Sequence, residues 1–240
     1  MRRFYVPDID ASLATVSLTG EEHHHARNVL RLENGDEVSV FDGMGSEFLC
    51  RIAKVVKKEV VLSILREVTP AAPESPVEIA IGSVAIPGEK YDLIIQKSVE
   101  LGIVTLTPLS SIRCELKLKD LAKKLPRWRR IALDASKQCG RARLMEITEP
   151  MDVREFVGSC AADHPRIYFS ERDGGKLPDI ATPEKVTAVI GPKGGWDDAE
   201  LDAARAAGFD IVTLGGRIMR AETAAISLTA VLQHRFGDLN

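Results

Sequence analysis

The sequence predicts an α/β protein, a mostly parallel sheet carrying helices, preceded by a small antiparallel β-barrel. Three observations carry this expectation. Short alternating segments fill residues 1 to about 68, a proline-rich stretch follows, and apolar β-branched runs then alternate with segments of helical spacing. With 240 residues and 45% apolar composition, the chain has enough apolar mass for two cores.

In chain order, Glu37 to Gly43, Glu47 to Ala53 and Val60 to Leu65 read as strands, with Asp42-Gly43-Met44-Gly45 as the turn between the first two. Thr69 to Pro76 holds Pro70, Pro73 and Pro76, which deny both helix continuation and ladder hydrogen bonds. The expected division is therefore a domain over residues 1–70, a linker over 71–76 and a second domain over 77–240.

Beyond the linker, Val77 to Ala85 reads as a strand, Lys90 to Leu101 as a helix closed by Gly102, and Ile103 to Leu106 as a strand. Leu121 to Cys139 has helical spacing, with Pro126 starting a second helix rather than interrupting one. Arg166 to Phe169, Val186 to Ile190 and Phe209 to Leu214 are short buried strands. Asp197 caps a helix running to about Ala207, before Gly208.

Two glycine-punctuated loops leave strand ends: Ile190-Gly191-Pro192-Lys193-Gly194-Gly195, and Leu214-Gly215-Gly216-Arg217-Ile218-Met219-Arg220. Without Cβ atoms, main-chain N–H and C=O groups there can approach a ligand directly, and strand ends are where open α/β sheets bind ligands. The alternative for each pair of glycines is a simple tight turn. Neither loop matches the dinucleotide or phosphate-loop pattern, so a conventional nucleotide-triphosphate site is not expected.

These loops resemble the bacterial RsmE-type methyltransferases, which methylate N3 of one uridine in 16S ribosomal RNA. That family carries Gly-Pro-Glu-Gly-Gly, then Leu-Gly-x-Arg-Ile-Leu-Arg-x-Glu-Thr-Ala, then Phe-Gly-Asp; here these fall at residues 191–195, 214–224 and 236–238. The resemblance extends to Gln96 to Gly102, Thr107-Pro108-Leu109, Arg113-Cys114, Gln138-Cys139-Gly140-Arg141, and His25 to Arg31. Lys193 departs from it, standing where the family has Glu.

The resemblance implies a SPOUT-type α/β domain with a C-terminal trefoil knot, a small N-terminal PUA-like β-barrel and a homodimer. It implies S-adenosylmethionine as cofactor, held by Ile190, Gly191, Pro192, Gly194, Gly195, Leu214, Gly215, Arg217, Ile218, Met219, Thr223 and Ala224. Its partner would be 16S rRNA in the small ribosomal subunit, at uridine 1498. Two other readings stay open: a SPOUT enzyme acting on ribose 2′-oxygen or a guanine nitrogen, and a non-catalytic rRNA-binding assembly factor.

Charge distribution bears on the RNA. The net charge is −3, yet Arg113 to Arg143 carries 11 Lys/Arg against 3 Asp/Glu, while residues 144–240 carry 10 against 16. A basic block is the footprint expected for phosphate contacts, its plain alternative being a solvated helix face. The candidate RNA contacts are His25, Arg31, Arg113, Lys137, Gln138, Arg141 and Arg143.

Methylation at uracil N3 requires removal of an imide proton and stabilisation of charge on the flanking carbonyl oxygens. Arg220 is the candidate stabiliser, and Glu222 the candidate to orient it or accept the proton. Glu222 and Thr223 also suit a helix N-terminus for purely structural reasons. Arg217 is a second candidate for the donor carboxylate or the RNA.

His23-His24-His25 diverge on any regular backbone, and the four scattered cysteines lack a Cys-x-x-Cys pair, so no metal site is expected and the thiols suit a reducing compartment. Lys97 with Glu100 reads as a surface pair and Trp128 as a buried anchor. No run is long and apolar enough for a membrane span, and Met1 to Tyr5 lacks a secretory stretch; a cytoplasmic protein is expected.

Overall fold

The computed structural model describes residues 1–10 and 12–239. The chain forms two compact units, Met1–Glu74 with Ser136–Leu144, and Ser75–Ala135 with Met145–Asn240.

The first unit contains β1 (Arg3–Tyr5), β2 (Thr15–Leu18), α1 (Gly20–His24), a π-helical turn (His25–Val29), β3 (Glu37–Phe41), β4 (Glu47–Val55) and β5 (Val60–Val68). Its sheet runs β1-β3-β4-β5-β2. Three pairings are antiparallel, as alternation predicts, but β1 lies parallel to β3, which corrects the wholly antiparallel expectation. A three-residue strand carries too little pattern to be read. Tertiary hydrogen bonds place it, Ser39 N–H donating to Arg2 O at 2.9 Å and Val6 N–H to Phe41 O at 3.0 Å.

The turn at Asp42 follows from its side chain: Oδ1 accepts the N–H groups of Met44, Gly45 and Ser46 at 2.7, 3.1 and 3.1 Å. Phe4, Leu18, Val38, Val40, Cys50, Ile52 and Leu62 make the core. Burial pushes the Cys50 thiol up to about 11, which makes it an inert core group.

Residues 136–144 lie beyond the proline-rich stretch in sequence but fold with this unit. Arg3 is the reason. Its guanidinium pairs with buried Glu47 at 2.8 Å and donates to Ser136 O at 2.7 Å and Arg141 O at 3.0 Å, so one buried cation ties the strand to the returning chain.

The second unit contains β6 (Glu78–Val84), α2 (Glu89–Glu100), β7 (Thr105–Ser110), α3 (Leu118–Ala122) and α4 (Leu125–Cys139), whose last residues from Ser136 fold with the first unit. It continues with β8 (Glu146–Ile147), β9 (Met151–Asp152), α5 (Val153–Ser159), β10 (Arg166–Phe169), β11 (Lys185–Ile190), α6 (Asp198–Ala206), β12 (Asp210–Val212) and α7 (Ala221–Phe236). The strands run β12-β10-β11-β6-β7-β8, with β9 beside β7, and every pairing is parallel. Buried apolar runs and intervening helices produce such a sheet.

Local chemistry sets the ends. Asp197 accepts the Ala199 N–H at 3.2 Å while Glu200 accepts the Asp197 N–H at 3.0 Å, a capping box that starts α6. Pro126 sits in the first turn of α4, where its missing N–H costs nothing. Trp128 is buried on that helix, its ring 4.8 Å from that of Tyr91. Gly102 ends α2 with φ +74°.

Strand order decides where a ligand can sit. From β6 the chain moves outward to β7 and β8; later it returns to lay β11 on the opposite side of β6, with β10 and β12 beyond. The reversal falls between β11 and β6, and in open parallel sheets the crevice at such a point, outside the carboxyl ends of the strands, is the binding position.

Candidate active site

Two cavities open at the carboxyl edge of this sheet, on either side of the loop after β11. The first, about 340 Å³, lies over β12, β10 and β11, and the second, about 490 Å³, over β6 and β7. Pro192, Lys193 and Ala221 line both.

The first cavity is lined chiefly by the two glycine-containing loops. Ile190, Gly191, Pro192, Gly194, Gly195, Leu214, Gly215, Arg217, Ile218, Met219 and Ala224 all line it. Thr223 does not; it is exposed in the first turn of α7. Phe169, Ser170, Glu171, Lys193, Trp196 and Thr213 join the lining without having been singled out as ligands in the sequence. Glu171 follows directly on β10, so the strand-end rule applied to Arg166–Phe169 is the signal that would have found it.

The glycines have distinct jobs. A Cβ on Gly191 would stand 2.9 Å from the Trp196 ring, because that fully buried indole is fixed there by donating to Phe169 O at 2.8 Å. Gly195, with φ +70°, approaches the Glu171 carboxylate where a Cβ would collide with it. Gly215 and Gly216 have no atom within 4 Å of where a Cβ would stand, which leaves their main chain open to the cavity. Arg113 props the loop from outside by donating to Gly194 O at 3.3 Å and pairing with Asp197 at 3.4 Å.

The second cavity is lined by side chains from four separate segments: Ala85 to Lys90, Arg113 to Glu115, Pro192-Lys193, and Arg220 to Glu222. Arg220 and Glu222 therefore sit on the far side of the loop from the first cavity. Lys90, from the first turn of α2, pairs with Glu222 at 3.1 Å. The Glu222 carboxyl is held below its ordinary range, first by its own N–H at the start of α7 and then by Lys90. It is therefore an anion at neutral pH and a weak proton acceptor there.

The candidate RNA residues have unlike surroundings. His25, Arg31, Arg113, Gln138 and Arg143 are exposed. Arg31 adopts φ +51° at the end of the π-helical turn. Lys137 is paired with Glu22, and Arg141 is buried, its guanidinium held by Glu74 at 2.6 Å. The geometry gives Arg141 a structural task. His23 Nε2 meets Val56 O at 3.2 Å, and no group of three His, Cys, Asp or Glu among the described residues could hold a metal. Among the described residues, no helix is long and apolar enough to cross a membrane.

A family of RNA methyltransferase domains matches residues 73–233, and a family of RNA methyltransferase PUA domains matches 18–65. The chain is 33% identical to ribosomal RNA small subunit methyltransferase E of Buchnera aphidicola, covering 94% of this chain and 92% of that protein. It is 32% identical to the protein of the same name from Bacillus subtilis, over 92% and 90%. The fold is similar to the crystal structure of ribosomal RNA small subunit methyltransferase E from Neisseria gonorrhoeae bound to S-adenosyl methionine, with a TM-score of 0.92, 34% identity and full coverage of both chains. With a PUA domain ahead of a parallel-sheet domain whose glycine-containing loops line a cavity, and with this identity along nearly all of its length, the chain belongs to the ribosomal RNA small subunit methyltransferase E family.

Proposed function

We propose that this protein uses S-adenosylmethionine to methylate N3 of uridine 1498 in 16S rRNA. The observation that carries the reading is the adjacency of the two cavities: one lined by the two glycine-containing loops, the other by Arg220 and Glu222, with Pro192, Lys193 and Ala221 shared by both.

The residues present fit the cofactor. Gly215 and Gly216 leave main chain open toward it, Glu171 offers a carboxylate to an ammonium or a ribose diol, and exposed Arg217 offers a guanidinium to a carboxylate. S-Adenosylmethionine, when bound, supplies a methyl carbon on a sulfonium that leaves with the bonding electrons as a neutral thioether. The protein's own part is positioning and electrostatics. Arg220 steadies negative charge on the target ring, and Glu222 keeps Lys90 in place beside it.

In this reading residues 1–70 grip rRNA, 71–76 connect and 77–240 carry the methyltransferase, apart from 136–144, which fold with the first unit; a C-terminal trefoil knot, a homodimer and a cytoplasmic location complete the proposal. His25, Arg31, Arg113, Gln138 and Arg143 are the RNA contacts in this reading, with Lys137 paired to Glu22 and Arg141 holding the first unit together.

Nucleoside mass spectrometry of 16S rRNA from a deletion strain, with and without the restored gene, tests it. The expected result is loss and return of 3-methyluridine. Loss of a ribose-methylated nucleoside or methylguanosine instead overturns the target, and an unchanged profile overturns catalysis.

A further inference from the structure

The Glu222 carboxylate beside Lys90 is a weak base, so removal of the N3 proton needs another route. The second cavity answers this by its charge. Four cations line it, Lys90, Arg113, Lys193 and Arg220, against two carboxylates, Glu115 and Glu222; Lys90 pairs with Glu222 and Arg113 with Asp197 outside the lining, and the Cys114 thiol is turned to Ala85 O at 3.2 Å. Its walls also include the first turns of two long helices, α2 (12 residues) at Lys90 and α7 (16 residues) at Ala221 and Glu222, each of which adds a partial positive charge. Ala85, Ile86, Pro87, Pro192 and Ala221 supply apolar wall that suits the face of a pyrimidine.

Lys193 sharpens the point. It is exposed and lines both cavities, so it puts a positive charge at the wall they share. An anionic ring gains from the cations and helix ends, whereas a neutral ring gains little.

Resting on the function proposed above, we propose that this cavity receives the target uridine in its N3-deprotonated form, with Lys90 and Lys193 as charge partners of Arg220, and that no side chain acts as the base. The N3 proton leaves to solvent, and the lone pair left on N3 is what accepts the methyl group. Glu222 is then a positioning residue for Lys90.

The sign of the pH dependence follows. If the ring binds as an anion, the rate rises with pH until the bound ring is fully ionised, and removing a cation moves that rise to higher pH. If Glu222 were the base, its low proton affinity would leave the rate flat across neutral pH, and Glu222→Gln would abolish it.

The experiment follows single-turnover methylation against pH on small subunits assembled from in vitro transcribed 16S rRNA, with uridine or 5-fluorouridine at the target. Calorimetric titration with S-adenosylmethionine runs in parallel. The more acidic 5-fluorouridine should shift the rise to lower pH with the unmodified protein, which needs no variant to fold. Lys90→Met should cost roughly 10- to 100-fold at pH 7 and shift the rise to higher pH, with cofactor affinity unchanged. Glu222→Gln should lose less than about tenfold and keep the rise. A rate that is flat with pH for both uridines, or abolished by Glu222→Gln and untouched by Lys90→Met, overturns the inference. Absence of 3-methyluridine from the unmodified protein's product would instead overturn the underlying function.

Discussion

The two cavities at the carboxyl edge of the parallel sheet differ in what they are made of. One is lined mostly by two glycine-containing loops, with Phe169 to Glu171 beside them; the other draws charged residues from four segments far apart in sequence. A glycine-loop site is written as glycine spacing and can be read from a linear pattern, whereas a charge site exists only once strands β6, β7 and β11 lie side by side. The same contrast applies to the basic block. Of its cations, Arg127 pairs with Asp92, Arg129 with Glu149, Lys137 with Glu22 and Arg141 with Glu74. Counting lysines and arginines therefore overstates the surface left for RNA.

The contrast can be broken most severely at Trp196, the side chain that shapes the first cavity. Trp196→Ala removes a fully buried indole and should cost about 3–5 kcal/mol, read as a lowered urea midpoint, together with loss of S-adenosylmethionine binding in calorimetry. If only stability falls and the cofactor still binds, the loop does not depend on this prop. Arg220→Ala addresses the other cavity: turnover should fall roughly 10²- to 10³-fold while cofactor affinity stays, since Arg220 lines only the second cavity. A drop in cofactor affinity equal to the drop in turnover would merge the two sites into one.

Smaller effects sharpen the distinction. Gly191→Ala puts a methyl against Trp196 and should cost about 1–3 kcal/mol and weaken the cofactor, with target RNA affinity unchanged by gel shift. For Glu222, carbon-detected NMR titration should place its carboxyl midpoint below the ordinary 4.5. Because the folded value is depressed, the Lys90 pair persists above the unfolded range and is lost as pH falls through the folded midpoint. Thr223→Val should change stability and cofactor affinity by less than about 0.5 kcal/mol, since Thr223 is exposed and outside both linings. A larger loss of cofactor affinity would return Thr223 to the cofactor set.

Much of the second unit was legible beforehand. Helix α2, the strand Arg166–Phe169 and the Asp197 cap follow from apolar period and capping chemistry, which act within a few residues. Strand β1 and helix α5 were not legible, being short segments whose hydrogen bonds and burial come from distant partners. Glu171 and Lys90 were missed for a related reason: a single charge at a strand end or a helix start looks like ordinary solvated surface until the cavity around it exists.

By itself, the sequence determined the longer strands and helices, the two glycine loops and the family, because each depends on local spacing or on a contiguous motif. Tertiary structure alone decided that Arg3 would gather residues 136–144 into the first unit, that Arg141 would be buried on Glu74, and that Lys90 would face Glu222. Electrostatic energy depends on distance through space and on burial, and neither is written in the order of residues along a chain.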